Sequence, residues 1–236
     1  MRKFSENKVT MLLVLILVAA AMLRLYGLNW DQGQHAHPDE RWIAMVAPSI
    51  TWPSKINDLL DPRRSTLNPL WVPEGQGRLR NFAYGHLPLY LHSLAGHALA
   101  ALGEQAQCQG NLAAQLCALD DYGAINLVGR SLSVLFDLGT IYLVFLLGRH
   151  VYSEEIGLLA AALVSLAMTH IQLAHFSTFD VITTFFVIAS VYGSVRVVQA
   201  KGAGTGPTAW AGAAAGLAVA SKFSAIPLLA VLVLAQ

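Results

Sequence analysis

INLVGRSLSVLFDLGTIYLVFLL, residues 125–147, is the stretch that decides the fold. Apart from Asn126, Arg130 and Asp137 it is apolar or small throughout. It exceeds the roughly 20 residues a helix needs to cross a bilayer. Similar apolar runs lie on either side: Val9 to Tyr26, Ile156 to Leu173, Val181 to Val198, and Thr208 to Ile226. A last run, from Pro227, is too short to span and carries no polar tail. It reads as a helix cut short, which predicts the N-terminal part of a longer membrane domain occupying residues 1–236.

The composition agrees. Hydrophobic residues make up 55% of the chain and charged residues only 12%. Soluble domains carry about 25% charged residues. The expected fold class is therefore an all-α polytopic membrane protein. A net charge of +1, with no basic stripe, gives no footprint for nucleic acid.

The first run follows Arg2, Lys3 and Lys8, which places the N-terminus in the cytoplasm. Ala19-Ala20-Ala21 resembles a signal-peptide cleavage site. The apolar run continues past it and further spans follow, so the reading is an uncleaved anchor over about 9–28, with Arg24 snorkelling to the interface. Residues 86–102, HLPLYLHSLAGHALAAL, need a decision, because a span here would invert every later helix. If it lies at the outer surface, Arg149, Arg196 and Lys201 all face inward with the N-terminal basic residues. The expectation is a juxtamembrane helix within one external loop, 29–122. Cys108 and Cys117 share that loop, where either a disulfide or two free thiols would fit.

His37-Pro38-Asp39-Glu40-Arg41 follows the first span on the outer side. Adjacent carboxylates suit general-base work, one taking a proton from a hydroxyl while the other orients a partner. The structural reading of the same residues is Asp39 as the cap of a following helix. Arg130 and Asp137 share a helix face, which suits an intramembrane ion pair or a role for Arg130 at an anionic group. Lys222, within an apolar stretch, needs a snorkelling route or an anion. His170, His175 and Asp180 stand at a helix end, and with Asp39 they offer ligands for a divalent cation, the one cofactor the sequence suggests. Trp30, Trp42, Trp52 and Trp71 read as an interfacial belt or as sugar-stacking rings.

Five segments in this order, NWDQGQHAHPDERW, NFAYGHLPLYL, GRSLSVLFDLGTIYLVFLLGRHVY, HIQLAHFSTFDV and ASKFSAIPLL, resemble the membrane glycosyltransferases of the GT-C fold. That group includes protein O-mannosyltransferases and aminoarabinose transferases. The resemblance implies a GT-C-like helix bundle with a large first external loop. It also implies sugar transfer from a polyprenyl-phosphate donor to an external protein, lipid or glycan acceptor, among membrane lipids and in a bacterial inner membrane. It gives Asp39 the role of base beside Glu40, and it places His86, Arg41, Arg130 and Lys222 at the donor phosphate. His37, Asp180 and His175 would lie in or near the active site. Two departures stand out: histidine occupies the basic position at 86, and Trp42 occupies a position that is often arginine. The rival class is a transporter or flippase using Arg130, Asp137 and Lys222, and a third reading is a non-catalytic membrane subunit.

Overall fold

A computed structural model describes residues 6–72, 79–82, 84–200 and 205–235. Among them the regular structure is helical: α1 (Glu6–Leu25), α2 (Pro38–Val46), α3 (Leu87–Gln105), α4 (Asn111–Cys117), α5 (Ile125–Val151), α6 (Glu154–Leu166), α7 (Met168–Ala174), α8 (Phe179–Gln199), α9 (Thr205–Ser221) and α10 (Leu228–Leu234). The sole β feature among those residues is an isolated bridge between Trp71 and Leu79. The chain is an all-α polytopic membrane protein. α1, α5 and α8 are each long and apolar enough to cross a bilayer, and α6 with α7 makes a fourth if the bent pair is one span. α3, the expected juxtamembrane helix, is not among them.

The chain forms two compact units, one built from 1–28, 133–175 and 179–236, the other from 29–132 and 176–178.

In the first unit, Val9, Leu13 and Ala20 of α1 bury against Ile141 and Phe145 of α5 and Leu158 and Ala161 of α6. Small residues let backbones approach where lipid offers no hydrophobic gain from helix pairing. A side chain at Gly193 of α8 would run into Ala211 of α9. There Ser190 Oγ donates to the Ala211 carbonyl at 2.9 Å, and Trp210 Nε1 donates to the Ala189 carbonyl at 3.2 Å. The run read as one span over 156–173 is broken at Ala167, with a 58° bend between α6 and α7. The physical reason is a competing donor: Arg24 Nη1 takes the Ser165 carbonyl at 3.0 Å, and a cation at helix-terminal carbonyls is favourable. The stretch read as a span over 208–226 is likewise interrupted. α9 ends at Ser221, Lys222 is extended, and a short 3-10 turn leads to α10.

The second unit carries α2, α3, α4 and the first turns of α5. The cysteines are bridged, Cys108 to Cys117, tying the end of α3 to α4. Gly103 of α3 lies where a side chain would strike the α4 backbone at Ala113 and Cys117. Two α3 side chains, Ser93 Oγ at 3.0 Å and His97 Nε2 at 3.1 Å, converge on the Ile50 carbonyl, and His97 Nδ1 lies 3.0 Å from Asp120. These contacts hold the turn after α2 against α3.

Candidate active site

The acidic segment builds outward from Asp31. Its carboxylate accepts backbone N–H bonds from Gly33 at 3.2 Å and Ala36 at 3.3 Å, so residues 31–36 wrap around it. The wrap needs left-handed backbone at Gln32, Gly33 and His35, with φ of 52°, 81° and 49°. Pro38 then opens α2 at its first turn, where its missing N–H costs nothing. His37, not Asp39, is the residue before the helix, and it makes no side-chain cap. Its ring packs on Phe176 at 4.8 Å.

Glu40 is fully enclosed. Its two oxygens accept from Arg130 Nε at 2.7 Å and Nη2 at 2.8 Å, and Oε1 also accepts the Ser177 N–H at 3.2 Å. Arg130 Nη2 additionally meets Asp31 Oδ2 at 2.8 Å, and the guanidinium lies over the Trp30 ring, 5.4 Å from its centroid. Arg130 is itself fully buried. One guanidinium thus binds two carboxylates, and three backbone N–H groups share the surplus negative charge. Burial pushes the Asp31 carboxyl up, but the Arg130 hydrogen bond, the Ala36 and Gly33 N–H bonds and the Arg130 charge outweigh it, leaving Asp31 below the usual carboxylate value.

Asp39 is different. It is half-buried in the first turn of α2, and its carboxylate has no hydrogen bond or ion pair among the described residues. Trp42, one turn along the same face, stacks flat on Phe82 with centroids 3.7 Å apart and 6° between planes. Phe82 in turn lies 6.3 Å from the His86 ring. Burial pushes the His86 imidazole below its usual value, which favours the neutral ring. Arg41 is exposed and donates through Nε to the His35 carbonyl at 3.3 Å.

In the first unit, Asp137 is bound by Arg24 Nε at 2.5 Å and by His170 Nδ1 at 2.6 Å. Arg24 does not snorkel. It is fully buried, and Nη1 also donates to the Ala20 and Ser165 carbonyls. The ion pair expected between Arg130 and Asp137 is replaced by one to each: Arg130 to Glu40, and Asp137 to Arg24. Lys222 Nζ lies 2.6 Å from Asp180 Oδ1, in a partly exposed pair. Both ring nitrogens of His175 face backbone carbonyls, Ile171 at 2.7 Å and Tyr26 at 2.8 Å. Among the described residues no group of three or more His, Cys, Asp or Glu side chains is gathered to hold a metal ion.

Sequence reasoning gave Asp31, His92 and Ser177 no role. Asp31 stood in the motif as a third acid beside a buried arginine, and counting charges in that motif against Arg130 was the signal that could have found it. His92 and Ser177 carry no charge pattern, and nothing in the sequence pairs residues so far apart.

A comparison with curated proteins found no match. Residues 122–235 match the family described as dolichyl-phosphate-mannose-protein mannosyltransferase, a stretch that contains Arg130, His175, Asp180 and Lys222 and leaves the acidic segment outside it. Over that stretch the chain is similar to the GT-C-fold membrane glycosyltransferases, as the order of its motifs implied.

Proposed function

We propose that the protein transfers a sugar from a polyprenyl-phosphate donor to an acceptor hydroxyl on the outer face of a bacterial inner membrane, with Asp39 as the base. The observation that carries this reading is the division of labour in the acidic pair. Glu40 is enclosed and spoken for, whereas Asp39 beside it keeps a carboxylate without a partner among the described residues. A general base has to be within hydrogen-bond reach of the proton it takes, so it has to be both accessible and held in place. The Glu40–Arg130 pair supplies the holding, because Asp39 and Glu40 share one helical turn.

In the step itself the acceptor oxygen forms a bond to the anomeric carbon as its proton passes to Asp39. The bond from that carbon to the donor phosphate oxygen breaks, and polyprenyl phosphate leaves. The sequence reading gave Glu40 the task of orienting the acceptor; its enclosure favours a task done through the turn instead. Negative charge grows on the leaving phosphate, and a fixed cation stabilises it most in the transition state. Arg41, in the same unit as Asp39, is the candidate that retains exposure. His86, kept neutral by burial, serves better as a hydrogen-bond donor than as a charge.

A second reading has its own observation. The broken pair α6 and α7 beside the buried Arg24–Asp137–His170 cluster is the arrangement a transporter or lipid-linked-sugar flippase would use.

The test is sugar transfer by the full chain in liposomes offered a panel of polyprenyl-phosphate sugars, beside Asp39→Asn. Transfer that collapses in the variant, with insertion unchanged, supports the base. Equal transfer by both removes Asp39 from the chemistry, and movement of intact donor across the bilayer without transfer favours the transporter.

A further inference from the structure

A second buried relay lies behind the acidic turn. His92, in the second turn of α3, is fully enclosed. Its Nδ1 lies 2.5 Å from the Pro88 carbonyl and its Nε2 lies 2.7 Å from Ser177 Oγ. A carbonyl can only accept, so Nδ1 carries the proton. The lone pair of the neutral ring at Nε2 then accepts from the Ser177 hydroxyl. The same Ser177 donates its backbone N–H to Glu40. An unbroken chain of donors and acceptors therefore runs from Glu40 through Ser177 and His92 to Pro88, two residues beyond His86. α5 is shaped to admit it. A side chain at Gly129 would strike both Ser177 Oγ and His92 Nε2, and Arg130, the partner of Glu40, is the next residue.

We propose that His92 and Ser177 are positioning residues that lock the first turn of α3, and with it His86, to the Glu40 turn that carries Asp39. The proposal rests on the reading of Asp39 as the base of a sugar transfer. Three segments distant in sequence, 39–40, 88–92 and 177, meet in one hydrogen-bonded line with all its polar atoms satisfied. Neither His92 nor Ser177 has access to solvent, so neither touches a substrate. Their effect is on geometry, and small misplacements of catalytic groups are costly.

The experiment compares the full chain with Ser177→Ala, Ser177→Thr and His92→Phe, with Asp39→Asn in parallel. Two readouts are taken: kcat and donor KM per folded molecule, and amide hydrogen exchange of the α2 and α3 first turns. Ser177→Ala and His92→Phe are expected to lower kcat roughly tenfold with donor KM changed less than about twofold. Ser177→Thr, which keeps the hydroxyl, is expected to restore most of the rate. Exchange in Ser177→Ala is expected to rise in both turns together. Unchanged kcat per folded molecule in Ser177→Ala while Asp39→Asn is dead overturns the lock and spares the base. A fully active Asp39→Asn overturns the base. If the parent transfers no sugar, the functional reading fails, and exchange still decides the lock: a rise confined to the α3 turn overturns it.

Discussion

Arg130 holds both oxygens of Glu40, at 2.7 and 2.8 Å, and so leaves Asp39 as the acid of the pair with no partner among the described residues. The two carboxylates are neighbours in sequence and opposites in environment. Asp39→Asn is expected to keep the fold and abolish transfer, by at least about 100-fold, the usual range for losing a general base. Rate per folded molecule in reconstituted liposomes is the measurement. Retention of more than a tenth of the parent rate would sink the assignment.

Glu40→Gln takes one charge from a buried cluster of three. Arg130 keeps Asp31, so the loss is partial. Arg130→Met is harsher, because it strands two carboxylates without their cation. Breaking a buried pair by removing one partner costs roughly 3–5 kcal/mol. Arg130→Met is therefore expected to lower the thermal midpoint in detergent more than Glu40→Gln does. The reverse order would mean that Asp31 and Glu40 do not depend on Arg130 for their charge.

Much of this was legible in the sequence because the bilayer imposes length and apolarity on whatever crosses it. The runs at 9–26, 125–147 and 181–198 became α1, α5 and α8 nearly as read. The breaks at Ala167 and Lys222 were not legible. Neither Ala167 nor Lys222 is a Pro or Gly, though Pro227 closes the second interruption just before α10, and the α6 break tracks a carbonyl claimed by an arginine from another helix. The acidic pair was also visible, since Asp39 and Glu40 directly follow His37 and Pro38. Which of the two is enclosed depends on Arg130, ninety residues away, and local pattern carries no information on that. Asp137 was paired in sequence with Arg130 because seven residues fit two helical turns. Arg24 satisfies it instead, the better partner in space and invisible in spacing.

The Arg24–Asp137 pair makes a prediction of its own. Asp137→Asn leaves a fully enclosed guanidinium with only carbonyls to answer it. The expected cost is again roughly 3–5 kcal/mol. Arg24→Leu with Asp137→Leu removes both charges and is expected to recover most of the loss, since an apolar pair in a membrane unit needs no desolvation. Thermal unfolding of the two singles and the double, as a cycle, gives the coupling. A double variant no more stable than Asp137→Asn would mean that the pair is not the source of the cost.

His92 predicts how the fold responds to acid. Burial pushes its imidazole down to about 4 from an ordinary 6.5, against a smaller upward pull from the Pro88 carbonyl. The folded value lies below the unfolded one, so the unfolded chain binds the proton first as pH falls. Stability conferred by the neutral ring is complete above about pH 6.5 and is lost as pH drops towards 4. The full swing is about 3 kcal/mol. Asp31, also depressed, loses its contribution only below the ordinary carboxylate value of 3.8, so the two windows separate. Unfolding midpoints of the parent between pH 7 and 4.5 should fall, and those of His92→Gln should fall much less. Parallel curves for the two proteins would show that the folded and unfolded chains bind the His92 proton alike, so that burial does not hold the ring neutral.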